Sequence, residues 1–387
     1  MQYRLDIFGV SLSETRVAVL YSPDITVERW SKRINAPGVM AFSMEATNPK
    51  ATPENLQPYR FVRLYRKNAG TGYSPVWLGY IEATKQVENR IEVVCAGALK
   101  LFKKRWASNN ETFTGEGSAE AFGLLSDTNT NDGDTGIDEG TGGVTTERSV
   151  TAQGDITVLR AWELLAQAHD AEFEIDDDGE FSFVSSVGSD LSGSVHLIFR
   201  RDGLPGTNVS EPQYGEDGEP MATKLIGKST GDGGLTSTRP TTPSENQTTF
   251  GVLIEVKHLN EAQDQTTLDT MTESLLTQLE NPITEFRLRP DMAVQKVNVM
   301  TGERSLTGLQ YGDVSVGDLI QATIITENRT ISEAKRVAEI VVSVDDAGME
   351  RLSLTLSKAG VFITAGFLDA NRVDDLTQRV KSIESLV

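Results

Sequence analysis

The sequence predicts a mainly β protein with α+β insertions: tandem small β-barrel domains, a helix–hairpin module and a short C-terminal coiled-coil helix. Three observations carry this. Short apolar or alternating runs recur between turn signals through residues 1–106 and again beyond Pro290. Between them, the stretch from Asp155 to Val184 switches from helical to strand periodicity. At the C-terminus, Val373, Leu376, Val380, Ile383 and Val387 follow one another at alternating steps of three and four residues, the a/d seam of a coiled coil.

Residues 1–106 read as an N-terminal β-barrel domain. Arg16–Tyr21, Phe61–Tyr65, Val76–Ile81 and Ile91–Ala96 have strand patterns, separated by Ala36-Pro37-Gly38, Asn48-Pro49 and the Gly-rich tip from Asn68 to Ser74. Strands at this spacing imply a small barrel or sandwich. Residues 107–150 read as a flexible acidic Gly/Thr-rich arm. From Ser126 to Glu147 there is almost no apolar residue, too little to offset the entropy of ordering, so an exposed loop is expected.

Residues 151–200 form the helix–hairpin module. Asp155 is the expected cap of a helix whose Ile156, Leu159, Trp162, Leu165 and Ala166 share one face. Glu172–Ile175 and Glu180–Val184 alternate strictly about Asp177-Asp178-Gly179, a hairpin signal. Residues 201–360 read as a second β-rich domain with long loops and one helix. The turn-rich part, 202–250, ends in the Thr/Pro/Ser stretch Thr236–Thr249, expected to be mobile or pressed against a partner. A helix is expected over Thr267–Leu279, burying Leu268, Met271, Leu275, Leu276 and Leu279 and stopped by Pro282. Strands follow at Val294–Val299, Asp318–Thr326, Val337–Val344 and Arg351–Leu356. Residues 361–387 are the C-terminal helix. Its outer positions carry Asp374, Asp375, Gln378, Arg379, Lys381 and Ser382. About two heptads are too short to hold a helix in water alone, and an amphipathic helix folded back on its own domain explains the same spacing.

The chain has 387 residues, which suggests two or three domains at roughly 150 residues each. With 38% hydrophobic and 24% charged residues, 34 glycines and 13 prolines, it suits a folded, loop-rich protein rather than a rod or a disordered chain. No run approaches the roughly 18 apolar residues of a membrane helix. The charged start, Met1 to Asp6, is unlike a signal peptide, so synthesis in the cytosol is expected. The single Cys95 excludes an intrachain disulfide framework and a multi-cysteine zinc site. A net charge of −20 and a pI near 4.6 argue against stable nucleic-acid binding. The basic run Lys100, Lys103, Lys104 and Arg105 reads as a solvated strand end or turn.

No pattern of catalytic chemistry emerges. His169, His196 and His258 are scattered, and no Gly-x-Ser-x-Gly, phosphate loop or His-Glu-x-x-His occurs. Cys95 sits in an apolar strand, where a lone thiol acts as a small hydrophobe. Asp127-Thr128-Asn129-Thr130-Asn131 begins like a calcium loop, but Asp132 stands where Gly is required and Asp138 where Glu is required. A polar arm accounts for the same residues. Asp176, Asp177, Asp178 and Glu180 sit where hairpin geometry alone favours Asp and Gly. A glycosidase-like carboxylate pair would be hidden by the abundance of acids, and nothing selects one. The expectation is no catalytic residue, no cofactor and no metal.

The run Phe42-Ser43-Met44-Glu45, then Phe61–Tyr65, Val76-Trp77-Leu78-Gly79-Tyr80-Ile81 and Ile91-Glu92-Val93-Val94-Cys95-Ala96-Gly97 through Leu101 to Arg105, resembles the N-terminal region of bacteriophage tail hub proteins. These belong to the siphophage tail-tip and baseplate hub family. The match is one of pattern and order. It covers residues 1–106 best and extends loosely to 155–184 and 290–358. The resemblance implies two related barrels per subunit, so that a homotrimer mimics the sixfold tail tube. It implies a structural virion protein at the tail tip or baseplate, joining distal tail protein, tape-measure protein and tail fibre or tip proteins, with DNA passing through a lumen. Some relatives carry a peptidase or lysozyme domain after the hub; none follows here before Val387, and no enzymatic activity is expected. The seam Val373, Leu376, Val380, Ile383 and Val387 is the expected trimer clasp. Two other classes stay open: a receptor- or carbohydrate-binding adhesin, although residues 202–250 hold only Tyr214 and Phe250 as aromatics, and a glycan-cleaving enzyme, favoured only by the surplus of acids.

Overall fold

The structure is a computed structural model that describes residues 2–357 apart from 69–71, 110, 153, 202–206, 231–233, 291–293, 298–303, 308, 310 and 346–347. The seam residues Val373 to Val387 lie outside the described residues.

Seven strands open the chain: β1 (Tyr3–Ile7), β2 (Ala18–Tyr21), β3 (Ile25–Arg33), β4 (Val39–Glu45), β5 (Phe61–Asn68), β6 (Gly72–Val87) and β7 (Arg90–Gly97). They pair antiparallel in the order β3-β4-β7-β6-β5-β1-β2. Alternation sets the faces, and bulges correct it. The register between β3 and β4 shifts between Val27 and Arg29, so that Ile25, Val27 and then Trp30 all point into the core.

A 3-10 turn, Ala98–Lys104, leads from the barrel into an inserted module. It contains β8 (Trp106–Asn109), β9 (Thr112–Phe113), α1 (Gly117–Asn131), β10 (Asp138–Gly142), β11 (Val150–Thr151), β12 (Asp155–Thr157), α2 (Val158–His169), β13 (Glu172–Ile175) and β14 (Glu180–Val184). The hairpin forms where its alternation predicts it, and β10 adds to it in the order β10-β14-β13.

Two expectations are corrected here. The stretch Ser126–Glu147 is not a continuous exposed loop. Its first part completes α1, whose buried face runs Ala121, Leu124, Leu125 and Thr128. The Thr128 hydroxyl donates to the Leu124 carbonyl at 2.7 Å, so a polar residue continues an apolar face without an orphaned group. Farther on, the few apolar residues present, Ile137 and Val144, are buried. The second correction concerns Asp155. It lies in β12, paired with β8, and Thr157 caps α2 by accepting from the Arg160 amide. Tertiary strand pairing overrides the local capping signal.

The rest of the chain is β15 (His196–Arg200), β16 (Val209–Asp217), β17 (Lys224–Ser229), β18 (Leu235–Arg239), α3 (Glu245–Phe250), β19 (Ile254–His258), α4 (Gln265–Leu279), β20 (Ile283–Pro290), β21 (Val294–Val297), β22 (Arg304–Thr307), β23 (Leu319–Ile325), β24 (Thr330–Val344) and β25 (Glu350–Ser357). The expected loop stretch Thr236–Thr249 thus contributes to β18 and α3. Helix α4 buries the five residues its periodicity predicts and starts two residues early, because Asp264 caps it through the Thr267 amide at 2.8 Å.

Strands β16, β20, β25, β24, β23 and β15 form a second barrel, with β15 parallel to β23. Asn208 draws β15 back towards β16: its amide donates to the Ile198 carbonyl at 2.9 Å and its side-chain carbonyl accepts from the Ile198 amide at 2.7 Å. One flank of β24 pairs with β25. The other pairs first with β23 and then, from Glu339 to Ser343, with β3 of the first barrel. The two barrels are therefore one continuous sheet, and Trp30, Phe42, Phe286, Ile340 and Leu354 share one core.

A second core fills the inserted module, with Phe102, Trp162, Phe173, Phe181 and Phe183 at its centre. Leu225, Leu268, Met271 and Leu275 belong to it as well. Packing thus groups β17–β19 and α4 with the helix–hairpin module, whereas the sequence groups them with the second β-rich domain.

Candidate functional site

Among the described residues, four charge pairs cross the boundaries between barrel and barrel or between barrel and module. Glu350, at the start of β25, accepts from Arg66 of β5 through Nε at 2.9 Å and Nη2 at 2.8 Å, and from the Tyr3 hydroxyl of β1. Arg33 of β3 donates to Glu339 of β24 at 2.8 Å. Both tie barrel to barrel. Glu172 of the inserted hairpin is gripped by Arg336 of β24, with one contact at 2.8 Å, and it also accepts from the Val187 amide at 2.7 Å. Asp177, at the hairpin tip, pairs with Lys32 of β3. These two tie the module to each barrel in turn.

Hydrogen bonds reinforce the same seam. Asn35, held in the left-handed region at φ 51°, accepts from the Phe173 amide at 2.8 Å. Arg63 donates to the Asp178 carbonyl at 2.8 Å. On the other side of the module, the Leu12 amide donates to the Thr135 carbonyl at 2.9 Å. Gly136 is needed there: its φ is +68°, and a Cβ would stand 2.4 Å from the Ser13 nitrogen.

The seam borders an open pocket of about 400 Å³, lined by Lys32, Gly38, Trp77, Glu174, Asp177 and Tyr311. Burial alone would lower the Lys32 pKa, but Tyr311 and Asp177 carry it up to about 12, so the ammonium stays charged. Burial raises Tyr311 and keeps its phenol protonated. For Tyr3, burial and then the Glu350 charge push the phenol far up, which makes it a donor. These shifts keep each group in the ionisation state its pairing requires.

Burial also raises the Glu174 carboxyl above its ordinary 4.5, Lys32 partly opposing it. The folded state therefore holds this proton more tightly than the unfolded chain. The cost is absent below the unfolded value and fully present above the folded one. Glu174→Gln should raise the melting temperature at pH 7 and leave it unchanged near pH 3.5. An equal rise at both pH values in a thermal-melt series would refute the assignment.

The residues weighed from sequence lie apart. His169 ends α2, half-buried, and burial followed by the Arg148 charge lowers its pKa to about 4, so it is neutral. His196 is on β15, 2.8 Å from the Thr323 hydroxyl, and His258 ends β19. The Cys95 thiol is fully buried, and desolvation drives its pKa well up. Asp127 and Asn129 lie in α1, and the Asn129 amide is used on Thr135 and Ile137, so no calcium-type loop is built there. Among the described residues no group of three or more His, Cys, Asp or Glu side chains could hold a metal ion. Of the basic run, Lys100 pairs with Glu82 and Arg105 donates to the Asp132 carbonyl.

Sequence reading missed Glu172, Glu339, Glu350 and their cations. Each sits on a strand and is nearly buried, but its partner lies 164, 306 or 284 positions away. The one available signal is a charge at an inward-facing position of an alternating strand.

Comparison with solved structures shows what this fold is similar to. The chain superposes on a tail protein from Neisseria meningitidis MC58 with a TM-score of 0.59 at 10% identity, covering 93% of this chain and 98% of that one. A 43 kDa tail protein of prophage MuSo2 from Shewanella oneidensis gives 0.59 at 14% identity, over 92% and 98%. Prophage tail protein gp18 from Listeria monocytogenes EGD-e gives 0.58 at 11% identity, over 97% and 100%. No protein-family model and no curated protein matches the chain.

Proposed function

We propose that this protein is a structural component of a bacteriophage tail, a trimeric hub at the distal end of the tail tube. The observation that carries the reading is the extent of the fold likeness: it spans both barrels and the inserted module and nearly the whole of three tail proteins. Two barrels fused through β24 and β3 give each subunit a rigid pair, so three copies present six barrels to a sixfold tube. In this role the hub adapts the tube to distal tail protein and tape-measure protein on one side and to fibre or tip proteins on the other. The charge of −20 repels the phosphate backbone of DNA moving through the lumen. Glu339, Glu350 and Glu172 of the described seam are held in interdomain pairs, which supports a joint between rigid parts.

Light scattering of the purified protein across a dilution series tests this. The expected mass is that of three copies. Removing residues 371–387, which carry Val373, Leu376, Val380, Ile383 and Val387, should weaken the trimer without abolishing it, since a seam of about two heptads adds only part of the interface. A chain that is single both in solution and in an assembled tail would end the hub reading.

A further inference from the structure

The β18-β17-β19 sheet has one covered and one bare face. Its inner face lies on α4. Gly227 lets the Thr272 side chain approach, and Arg239 pairs with Asp269 at 2.9 Å and with Glu273 at 3.1 Å. The register brings Ile226 beside Val256, Lys224 beside Ile254 and Lys228 beside His258 on the outer face. Five of the thirteen exposed large apolar side chains of the described residues, Phe250, Val252, Leu253, Ile254 and Val256, fall in this one segment. The segment is held in place: Thr223 accepts from the Leu253 amide at 2.9 Å and donates to the Gly251 carbonyl at 2.7 Å. Edge strand β19 pairs only with β17 among the described residues. A fixed apolar face beside an open strand edge is ordinarily covered by a protein partner.

The charge of the face selects the partner. Lys224 and Lys228 make no ion pair among the described residues, and the outer face carries no carboxylate there, on a chain of net charge −20. Copies of such a chain repel one another except where a basic face meets an acidic one. The same module supplies the acidic counterpart. Strand β10 is the edge of the other three-stranded sheet, with Asp138 and Glu139 exposed. The two sheets are linked through α2 and α4. Phe181 of the β10 sheet stacks on Trp162 of α2, α2 joins α4 through Asp170 and Ser274 at 2.7 Å, and α4 supports β17. Two different, complementary patches on one copy are what a head-to-tail contact needs to close into a ring.

We propose that the outer face of the β17–β19 sheet is a subunit contact that receives the acidic β10 side of a second copy of this chain. The contact rests on the three-copy reading above. Its test is charge exchange on the full chain, read as the dissociation constant of the trimer by light scattering on dilution, with thermal melting as the folding control. Lys224→Glu with Lys228→Glu should raise the constant about 100-fold, and Asp138→Lys with Glu139→Lys should do the same. The chain carrying all four changes should return to within about threefold of the original, because each reversed face again meets its opposite. A wild-type trimer indifferent to the reversals, or one the fourfold chain fails to restore, overturns the contact and leaves the hub reading intact. A trimer that persists while reversed chains fail to incorporate another tail component assigns the face to that component and also overturns it. A wild-type chain monomeric at every concentration overturns the contact in solution and counts against the hub as well.

Discussion

Trp162→Ala is expected to cost about 3–5 kcal/mol and to melt the inserted module ahead of the barrels. Trp162 is fully buried, stacks on Phe181 at 4.1 Å between centroids and leans on Phe102 at 4.6 Å. Its indole nitrogen donates to the Ala121 carbonyl at 3.0 Å, which fixes α1 against α2. Truncation therefore opens a cavity and removes a buried hydrogen bond together. The barrel interior is a separate set of residues, while Phe61, Leu78 and Tyr80 of β5 and β6 pack into the module core, so calorimetry should resolve an early transition with the later one moved less. Hydrogen exchange should rise in α1, α2 and α4 and stay low in β24 and β25. Equal loss of protection in β24 would show that module and barrels unfold as one unit. Trp162→Phe, which keeps part of the stack and drops the hydrogen bond, should fall between.

Glu350→Ala should destabilise the barrel pair by about 3 kcal/mol, since it removes the buried carboxylate that a partly buried guanidinium and a buried phenol share. Glu350 is 5% exposed and receives Arg66 and Tyr3 at once. Replacing all three groups, as Tyr3→Phe, Arg66→Met and Glu350→Met, should cost much less than the single change, because no unpaired charge remains. Urea denaturation with a fixed slope reads both. The exposed Arg90–Glu28 pair, at 2.7 Å, is the control, and Glu28→Ala should cost under about 1 kcal/mol. A Glu350→Ala cost no larger than this control would reduce the joint to a surface contact.

Where strong alternation meets a turn, local sequence was enough. The hairpin of β13 and β14 is legible in Phe173, Ile175, Phe181 and Phe183 alone, because period two with Asp-Gly between admits one pairing. Helix α4 is legible in its leucines for the same reason at period 3.6. Helix α1 was not. Thr128 completes its buried face, and only the Leu124 carbonyl in the folded helix makes that burial acceptable. Asp155 likewise carries a capping signal that is overruled by strand β8, which lies far enough back in the chain to leave no local trace.

By itself the sequence determined the β-rich class, the hairpin, α4, the pattern of the first barrel's strands and the absence of any motif for catalysis. These are matters of period, composition and turn chemistry, all read within a dozen or so residues. Only the tertiary structure decided that the two barrels are one sheet through β24 and β3, and that α4 belongs with Trp162 rather than with the second barrel. It alone turned Glu172, Glu339, Glu350 and Asp177 from four members of an acidic surplus into the fastenings between parts. The physical reason is that a carboxylate has no direction in sequence. Its role is fixed by the cation that burial leaves beside it, and for Glu339 that cation is Arg33, 306 residues earlier in the chain.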